Sequence, residues 1–519
     1  MSSNIYIMIA ITGYLAMMLV VGWFCSKKNN STDDFYLGGR KLGPLMTAMS
    51  AEASDMSGWL LMGLPGVAYA CGIADAAWTA IGLAVGTYIN WLIVAKRIRL
   101  YTHSIDAITI PDFFSKRYGD KKNILCGIAA LVILIFFVPY TASGFAACGK
   151  LFSTVFGIEY MTAMIISAVV IVGYCALGGF LAASTTDLIQ SIVMTFALIM
   201  ILLFSIHIVG GFDTVITNAS SLDGYLSMTA MYNASTGTAS SYGFVTIIST
   251  LAWGLGYFGV PHVLLRFMAI EDPNKLKESR RIATVWVVIS MFVAILIGVT
   301  GYSVSSVGAI EVLADSENII IVLAQLLAEN GVVLALLGGI VLAGILASTM
   351  STADSQLLTA SSSMSQNLLQ DFLGIKMTKK TTLLVARGCV AIIAILGVCF
   401  ASDPNSSVFG IVSFAWAGFG AAFGPVVLAA LFWKRSNMQG ALAGMVAGGI
   451  TVVIWEYVLT PIGVSMVAAG NSIGAYLTIY ELLPAFIVAC IAIVVVSLLT
   501  KAPEQAVLDK FDEVQELLK

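Results

Sequence analysis

Charge is what this chain lacks. Of 519 residues only 11% are Asp, Glu, Lys or Arg, while 59% are hydrophobic; a soluble globular protein carries about 25% charge. So few ionisable groups could not cover the surface of a water-soluble fold of this length, which argues against an ordinary secreted or disordered protein. An excess of positive charge is missing too. The formal net charge is −3, so there is no basic footprint for nucleic acid. The eight cysteines stand singly, without metal-ligand or disulfide spacing, and read as small buried hydrophobes. Only three histidines are present, well dispersed. The 11 prolines are far outnumbered by 48 glycines, a balance that suits close-packed membrane helices rather than a linker-rich chain. With a mean hydropathy of +0.94, the composition describes an all-α polytopic membrane protein.

A helix needs about 20 apolar residues to cross the hydrocarbon. Thirteen stretches qualify, near 5–25, 44–64, 72–95, 124–150, 160–181, 187–210, 241–261, 282–304, 319–357, 383–401, 407–433, 438–460 and 477–500. The second, seventh and ninth are interrupted by glycine or polar residues, and the ninth is long enough for a span plus a helical extension. The first lacks a basic n-region and a cleavage site, so it reads as a span rather than a signal. With an external N-terminus the basic residues fall on one side, as the positive-inside rule requires. They are Lys27, Lys28, Arg40 and Lys41, the run Lys96 to Lys122, Arg266 to Arg281, Lys376 to Arg387, Lys434 with Arg435, and Lys501 to Lys519. Of 26 basic residues only Lys150 falls outside. The outer loops around 211–240 and 303–318 hold Asp213, Asp223, Glu311, Asp315 and Glu317 but no base. The expectation is a multi-pass protein of the cell membrane, N-terminus outside, with a cytoplasmic tail that forms a short amphipathic helix after Pro503.

Polar groups at mid-membrane are costly unless paired, hydrated or ligating, and four places hold them. In the second stretch, Ala53-Ser54-Asp55-Met56-Ser57-Gly58-Trp59 is a poor lipid-facing helix. A break there would expose carbonyl oxygens, and Asp55 beside them would favour a small hard cation; alternatively, Asp55 lies in a wet inner mouth and only orients the segment. In the seventh, Trp253, Tyr257 and Pro261 recur every four residues and would share one helical face. Such a face either packs or encloses a small, partly apolar solute. In the ninth, Ser348, Ser351, Thr352 and Ser355 fall on one face beside Asp354. The hydroxyls either bond back to their own helix or offer neutral oxygens to Na+, and packing alone has no need of the carboxylate. At the sixth, Ser184-Thr185-Thr186-Asp187 after Gly178-Gly179 reads as a helix N-terminus or as a contact for an ion. Asp187 and Asp354 would serve a second cation or proton site if they approach one another.

The second and seventh stretches are glycine-broken, lie five spans apart and run in opposite directions. That is the pattern of two inverted five-helix repeats, each opening with a discontinuous helix. The chain then divides into 1–43 (first span and cytoplasmic loop), 44–210 (spans 2–6), 211–433 (outer loop and spans 7–11), 434–500 (spans 12 and 13) and 501–519 (tail). No nucleophile–base pair or hydrolytic metal spacing points to an enzyme, and nothing calls for an organic cofactor.

Several strings resemble the sodium:solute symporter family over about residues 5–505. They are Asp34 to Arg40 (DFYLGGR), Ala53 to Gly66, Trp253 to Gly259 followed by Pro261-His262, and Phe414-Ala415-Trp416-Ala417 leading to Phe423-Gly424-Pro425. Ala53 to Gly66 is similar to the branch of that family that carries proline. The resemblance implies thirteen helices in a leucine-transporter-like architecture and Na+-coupled symport of L-proline into the cell. A symporter of another small solute, a different amino acid or a pantothenate-like compound, is the alternative. It further implies a Na+ site built from the carbonyls of Ala53, Met56 and Ser348 and the hydroxyls of Ser351 and Thr352, with Asp55 supporting. The substrate would be lined by Ser57, Gly58, Trp59, Tyr140, Trp253, Tyr257 and Pro261, and Arg40 would belong to a cytoplasmic gate. Asp354 departs from the hydroxyl residue usual there, so with Asp187 and Ser355 it marks a second cation or proton site. The implied partners are L-proline, Na+ and membrane lipid, and a monomer is compatible with them.

Overall fold

The apolar stretches form helices whose outer faces remain apolar. In the computed structural model residues 3–26, 36–175 and 179–518 are described; Lys27, Lys28, Asp34, Phe35, Gly178 and Lys519 lie outside them. Val169, Ile192, Leu203, Phe292, Ile395 and Leu498 are exposed, while Asp55, Asp187, Arg266 and Asp354 are buried. This inverts the pattern of a protein in water and suits lipid outside with polar groups facing protein.

In chain order the helices are α1 (Ser3–Ser26), α2 (Pro44–Asp55), α3 (Leu64–Cys71), α4 (Ile73–Ile89), α5 (Ala95–Ser104), α6 (Ile110–Tyr118) and α7 (Ile124–Phe156). There follow α8 (Tyr160–Cys175), α9 (Phe180–Ile208), α10 (Phe212–Ser220), α11 (Phe244–Leu251), α12 (Pro261–Ala269), α13 (Leu276–Ser306) and α14 (Ile319–Ala328). The last seven are α15 (Val332–Ser362), α16 (Lys379–Phe400), α17 (Val408–Phe432), α18 (Met438–Ile454), α19 (Thr460–Ala468), α20 (Leu482–Leu499) and α21 (Gln505–Leu517). A two-stranded hairpin, β1 (Ala230–Asn233) with β2 (Thr238–Ser241), lies in the loop before α11.

Among the described residues ten helices are long and apolar enough to cross a membrane, or eleven if Phe244–Phe258 and Pro261–Ala269 count as one bent span. The two remaining expected stretches are the second, split between α2 and α3, and the fifth, where α8 has 16 residues. The expected extension in the ninth region precedes the span: α14 is a separate short helix before α15. The expected tail helix is α21, which lies on α5 with Arg97 Nη1 donating to Gln515 Oε1 at 2.8 Å.

Both expected breaks are present. α2 ends at Asp55, Met56 leaves helical geometry (φ −78°, ψ 69°), and the chain resumes through a wide π turn, Trp59–Gly63, into α3. The seventh stretch does not form a single aromatic face. Residues Ala252–Phe258 tighten into a 3-10 turn, the chain bends by 46°, and Pro261 begins α12, where its missing N–H costs no hydrogen bond. Three residues per turn instead of 3.6 rotate Trp253 and Tyr257 out of register with Pro261. A close approach explains why glycine is used here: a Cβ on Gly86 of α4 would collide with the backbone of Gly254.

Candidate functional site

The break after α2 faces the hydroxyl face of α15. Ser351 Oγ donates to the Ala53 carbonyl at 2.7 Å, crossing between the two helices. It also lies 3.1 Å from the Ser348 carbonyl, which accepts from Thr352 Oγ1 at 3.1 Å as well. Of the expected Na+ set on α15, Ser351 Oγ meets the carbonyl of Ala53, and the Ser348 carbonyl and Thr352 Oγ1 adjoin it on the same face. Met56 sits at the break itself, where its non-helical ψ turns its carbonyl away from the axis of α2. The hydroxyl of Ser348 bonds back to Ile345 O at 2.9 Å, so this residue offers its carbonyl, not its side chain. Back-bonding therefore accounts for Ser348 and Thr352, and Ser351 is the one that reaches across.

Asp55 is fully enclosed beside this cluster. Its Oδ2 accepts the Tyr257 phenol at 2.5 Å, and its carbonyl accepts from Tyr140 Oη and Trp59 Nε1, each at 3.3 Å. Oδ1 has no hydrogen-bond partner among the described residues. Such a buried, half-satisfied carboxylate is expensive without a counter-charge. Its neighbour Glu52 is tied instead to α4 and the turn after it, accepting from Thr87 Oγ1 (3.1 Å) and Trp91 Nε1 (2.8 Å).

The aromatic residues expected to line a solute converge around these carbonyls. The rings of Trp59 and Trp253 lie 6.4 Å apart, and Asn90 Nδ2 holds the Tyr257 carbonyl at 2.9 Å. Gly58 packs against α7, where a Cβ would stand 2.9 Å from Ala147 Cβ. Ser57, Trp59, Tyr140, Trp253 and Tyr257 are all buried. Pro261 is buried too, but it stands beyond the bend.

Three aromatic neighbours were not singled out for this site by sequence reasoning. Trp416 Nε1 donates to the Trp253 carbonyl at 2.8 Å and meets the Tyr257 ring edge-on at 5.0 Å. Tyr480 stacks on Trp253 at 5.0 Å, and Phe409 lies 5.2 Å from it. Trp416 carried a signal, the Phe-Ala-Trp-Ala string; Tyr480 and Phe409 carried none.

The expected second cation site contains an arginine. Arg266, assigned above to the start of a cytoplasmic loop, is instead 1% exposed within α12. Its Nη2 lies 3.2 Å from Asp187 Oδ2 and donates to Ser355 Oγ, while its Nε donates to Ser50 Oγ at 3.0 Å. Ser50 Oγ donates in turn to Asp187 Oδ2 at 2.6 Å, and Ser355 Oγ lies 3.1 Å from Asp354 Oδ1. Asp187 and Asp354 are brought into one cluster, in which Arg266 pairs with Asp187 and reaches Asp354 only through Ser355. The N-terminus reading of Ser184 to Asp187 is also corrected: α9 already begins at Phe180, Thr185 and Thr186 bond back to carbonyls at Leu181 and Ala182, and Asp187 caps nothing.

Arg40 stands apart from both clusters. Its guanidinium donates to Met268 O at 2.8 Å and Ala107 O at 2.7 Å, with Thr102 O at 3.3 Å. It thereby fastens the segment before α2 to the end of α12 and to the α5–α6 connection.

The profile of the sodium:solute symporter family matches residues 35–448. The chain is 41% identical to the sodium/proline symporter of Escherichia coli over 506 residues, 96% of this chain and 94% of that one. It is 39% identical to the osmoregulated proline transporter of Bacillus subtilis over 517 residues, 99% of each. Among solved structures it superposes on a substrate-bound, outward-open Na+-coupled sialic acid symporter with a TM-score of 0.76, at 17% identity, covering 96% of this chain and 98% of that one. The protein MhsT in complex with L-phenylalanine gives a TM-score of 0.52 at 14% identity, over 88% and 98% of the two chains.

Proposed function

The chain belongs to the sodium:solute symporter family, and on that premise we propose that it carries L-proline into the cell together with Na+. The observation that carries the coupling is the bond from Ser351 Oγ to the Ala53 carbonyl. It brings oxygens from the broken α2 and from α15 to one point, next to a carboxylate that lacks a full set of partners. We assign Na+ to Ala53 O, Met56 O, Ser348 O, Ser351 Oγ and Thr352 Oγ1, with Asp55 supplying long-range negative charge. Neutral oxygens with Asp55 close by suit a monovalent cation that must also be released. L-proline is assigned to Ser57, Gly58, Trp59, Tyr140, Trp253, Tyr257 and Pro261, where the indoles and phenols match a five-membered ring with a polar end. The names of the relatives support that substrate.

Transport follows from the two breaks. Na+ drawn to the end of α2 orders its carbonyls; Tyr257, bonded to Asp55, ties this ordering to the aromatic cluster. Proline closes that cluster, the outer path shuts and the inner one opens. A symporter moves its solute unchanged, so no covalent step is needed. At an inside-negative potential each imported charge gains about 2.3 kcal/mol per 100 mV.

The proposal extends to topology: thirteen spans, two inverted five-helix repeats opening at the breaks after α2 and α11, N-terminus outside, C-terminus cytoplasmic, and Arg40 in the inner gate. It also assigns the Asp187–Asp354–Ser355 cluster to a resident guanidinium, Arg266, in place of a second mobile ion. Uptake of labelled proline into proteoliposomes against a panel of unlabelled amino acids and pantothenate tests the substrate. Competition by proline above all others supports it, and stronger competition by another solute replaces it.

A further inference from the structure

Tyr480 comes from outside the two proposed repeats, from the segment between α19 and α20, yet it reaches the aromatic cluster. Its ring stacks on the Trp253 indole, with centroids 5.0 Å apart and planes at 19°. Two bonds pin it. Its backbone N–H donates to Ser249 Oγ on α11 at 2.6 Å, and its phenol donates to the Ser413 carbonyl on α17 at 2.9 Å. The residue before it is tied as well, since Trp455 Nε1 donates to the Ile479 carbonyl at 3.2 Å. Though only half-buried, Tyr480 is thus fixed at both ends.

Trp253 depends on that support. Trp416 Nε1 holds its carbonyl, which fixes the backbone but leaves the indole to its neighbours. Phe409 lies against it tilted by 44° and Trp59 by 37°; among the described residues only Tyr480 is nearly parallel to it. The indoles of Trp59 and Trp253, 6.4 Å apart, stand near the wide end of the about 4.5–7 Å found for ring pairs. Trp59 is fixed from its own side, 2% exposed with its Nε1 donating to the Asp55 carbonyl. The wall that can yield is therefore Trp253, and the ring of Tyr480 is what keeps its indole in place.

We propose that Tyr480 sets the ring size this symporter accepts. Resting on the assignment of proline to the cluster of Trp59 and Trp253, Tyr480 acts as a positioning residue. It holds the Trp253 indole where a five-membered imino-acid ring fits and a six-membered one is crowded. The two rings differ by one methylene, and one methylene in an apolar pocket changes discrimination by about 10–200-fold. That selectivity lasts only while neither wall retreats. The contacts of Tyr480 involve none of the oxygens assigned to Na+, so its role lies in choosing the solute and not in coupling.

Labelled L-proline uptake into proteoliposomes with an inward Na+ gradient, competed by unlabelled L-proline or by L-pipecolate, its six-membered homologue, tests this. Wild type should need at least about tenfold more pipecolate than proline for half-inhibition. In Tyr480→Ala that ratio should fall by about tenfold. Tyr480→Phe, which keeps the stacked ring, should hold it within about twofold of wild type. Half-saturating Na+ should match wild type in both. The ratio does not depend on how much protein folds, so a purely structural role would leave it unmoved. An unchanged ratio in Tyr480→Ala, or a wild type that does not distinguish the two rings, overturns the proposal. If Tyr480→Ala does not fold, Tyr480→Leu, which fills the space without a stacking face, is read by the same criteria. Wild type that takes up no proline removes the substrate assignment and this proposal with it, whereas proline uptake with an unchanged ratio removes the proposal alone.

Discussion

Tyr257 donates its phenolic O–H to Asp55 Oδ2 at 2.5 Å, joining the two places where membrane helices break. One residue belongs to the aromatic cluster assigned to proline, the other to the end of α2 beside the oxygens assigned to Na+. A ligand that shifts either partner must act on the other, and this is the physical content of coupling between two sites.

Tyr257→Phe keeps the ring against Trp416 and removes only the donor. The expected result is a fall of about tenfold in the gain of proline affinity that Na+ produces, read from proline binding at low and saturating Na+. A gain equal to that of wild type would show that coupling runs elsewhere.

Ser351 and Ser348 lie one turn apart on α15 and should behave differently. Ser351→Ala removes the oxygen that meets Ala53 and should raise half-saturating Na+ for uptake by roughly tenfold. Ser348→Ala should leave it within about twofold, because only its carbonyl is assigned to the cation and its hydroxyl bonds back to Ile345 O. Sodium titration of uptake in the two variants separates side-chain from backbone ligation.

The Arg266–Asp187 pair is 1% and 0% exposed, so breaking it from one side strands a charge. Arg266→Gln and Asp187→Asn should each cost about 3–5 kcal/mol of stability, with the double variant losing less than the sum. Thermal unfolding of the purified variants checks this, and additive losses would show that the two do not depend on each other.

If Arg266 is the resident cation of this cluster, Asp354 does not carry a travelling ion. Both wild type and Asp354→Asn should then move one positive charge per proline, measured as the ratio of charge to labelled proline. Two charges in wild type and one in the variant would return Asp354 to a cation site.

The helices and their breaks were legible because membrane burial imposes long apolar runs, and Asp55, Gly58 and Ser351 interrupt those runs with groups lipid excludes. Arg266 was not. Positive-inside patterning treats every base near a span end as cytoplasmic, and nothing local distinguishes an arginine that turns inward to meet Asp187, 79 residues away. The shared face of Trp253, Tyr257 and Pro261 failed for a different reason. Four-residue spacing assumes an α-helix, whereas glycines at 254, 256 and 259 let the chain tighten and bend where neighbouring backbones approach. Phe409 and Tyr480 reach Trp253 only through tertiary packing, which leaves no periodic trace.

Whether proline movement needs sodium decides the proposed transport most directly. Labelled L-proline uptake into proteoliposomes should require an inward Na+ gradient, accumulate above equilibrium, and rise further when the interior is made negative. Equal uptake with an inward K+ gradient, indifferent to Na+ and to potential, would contradict it.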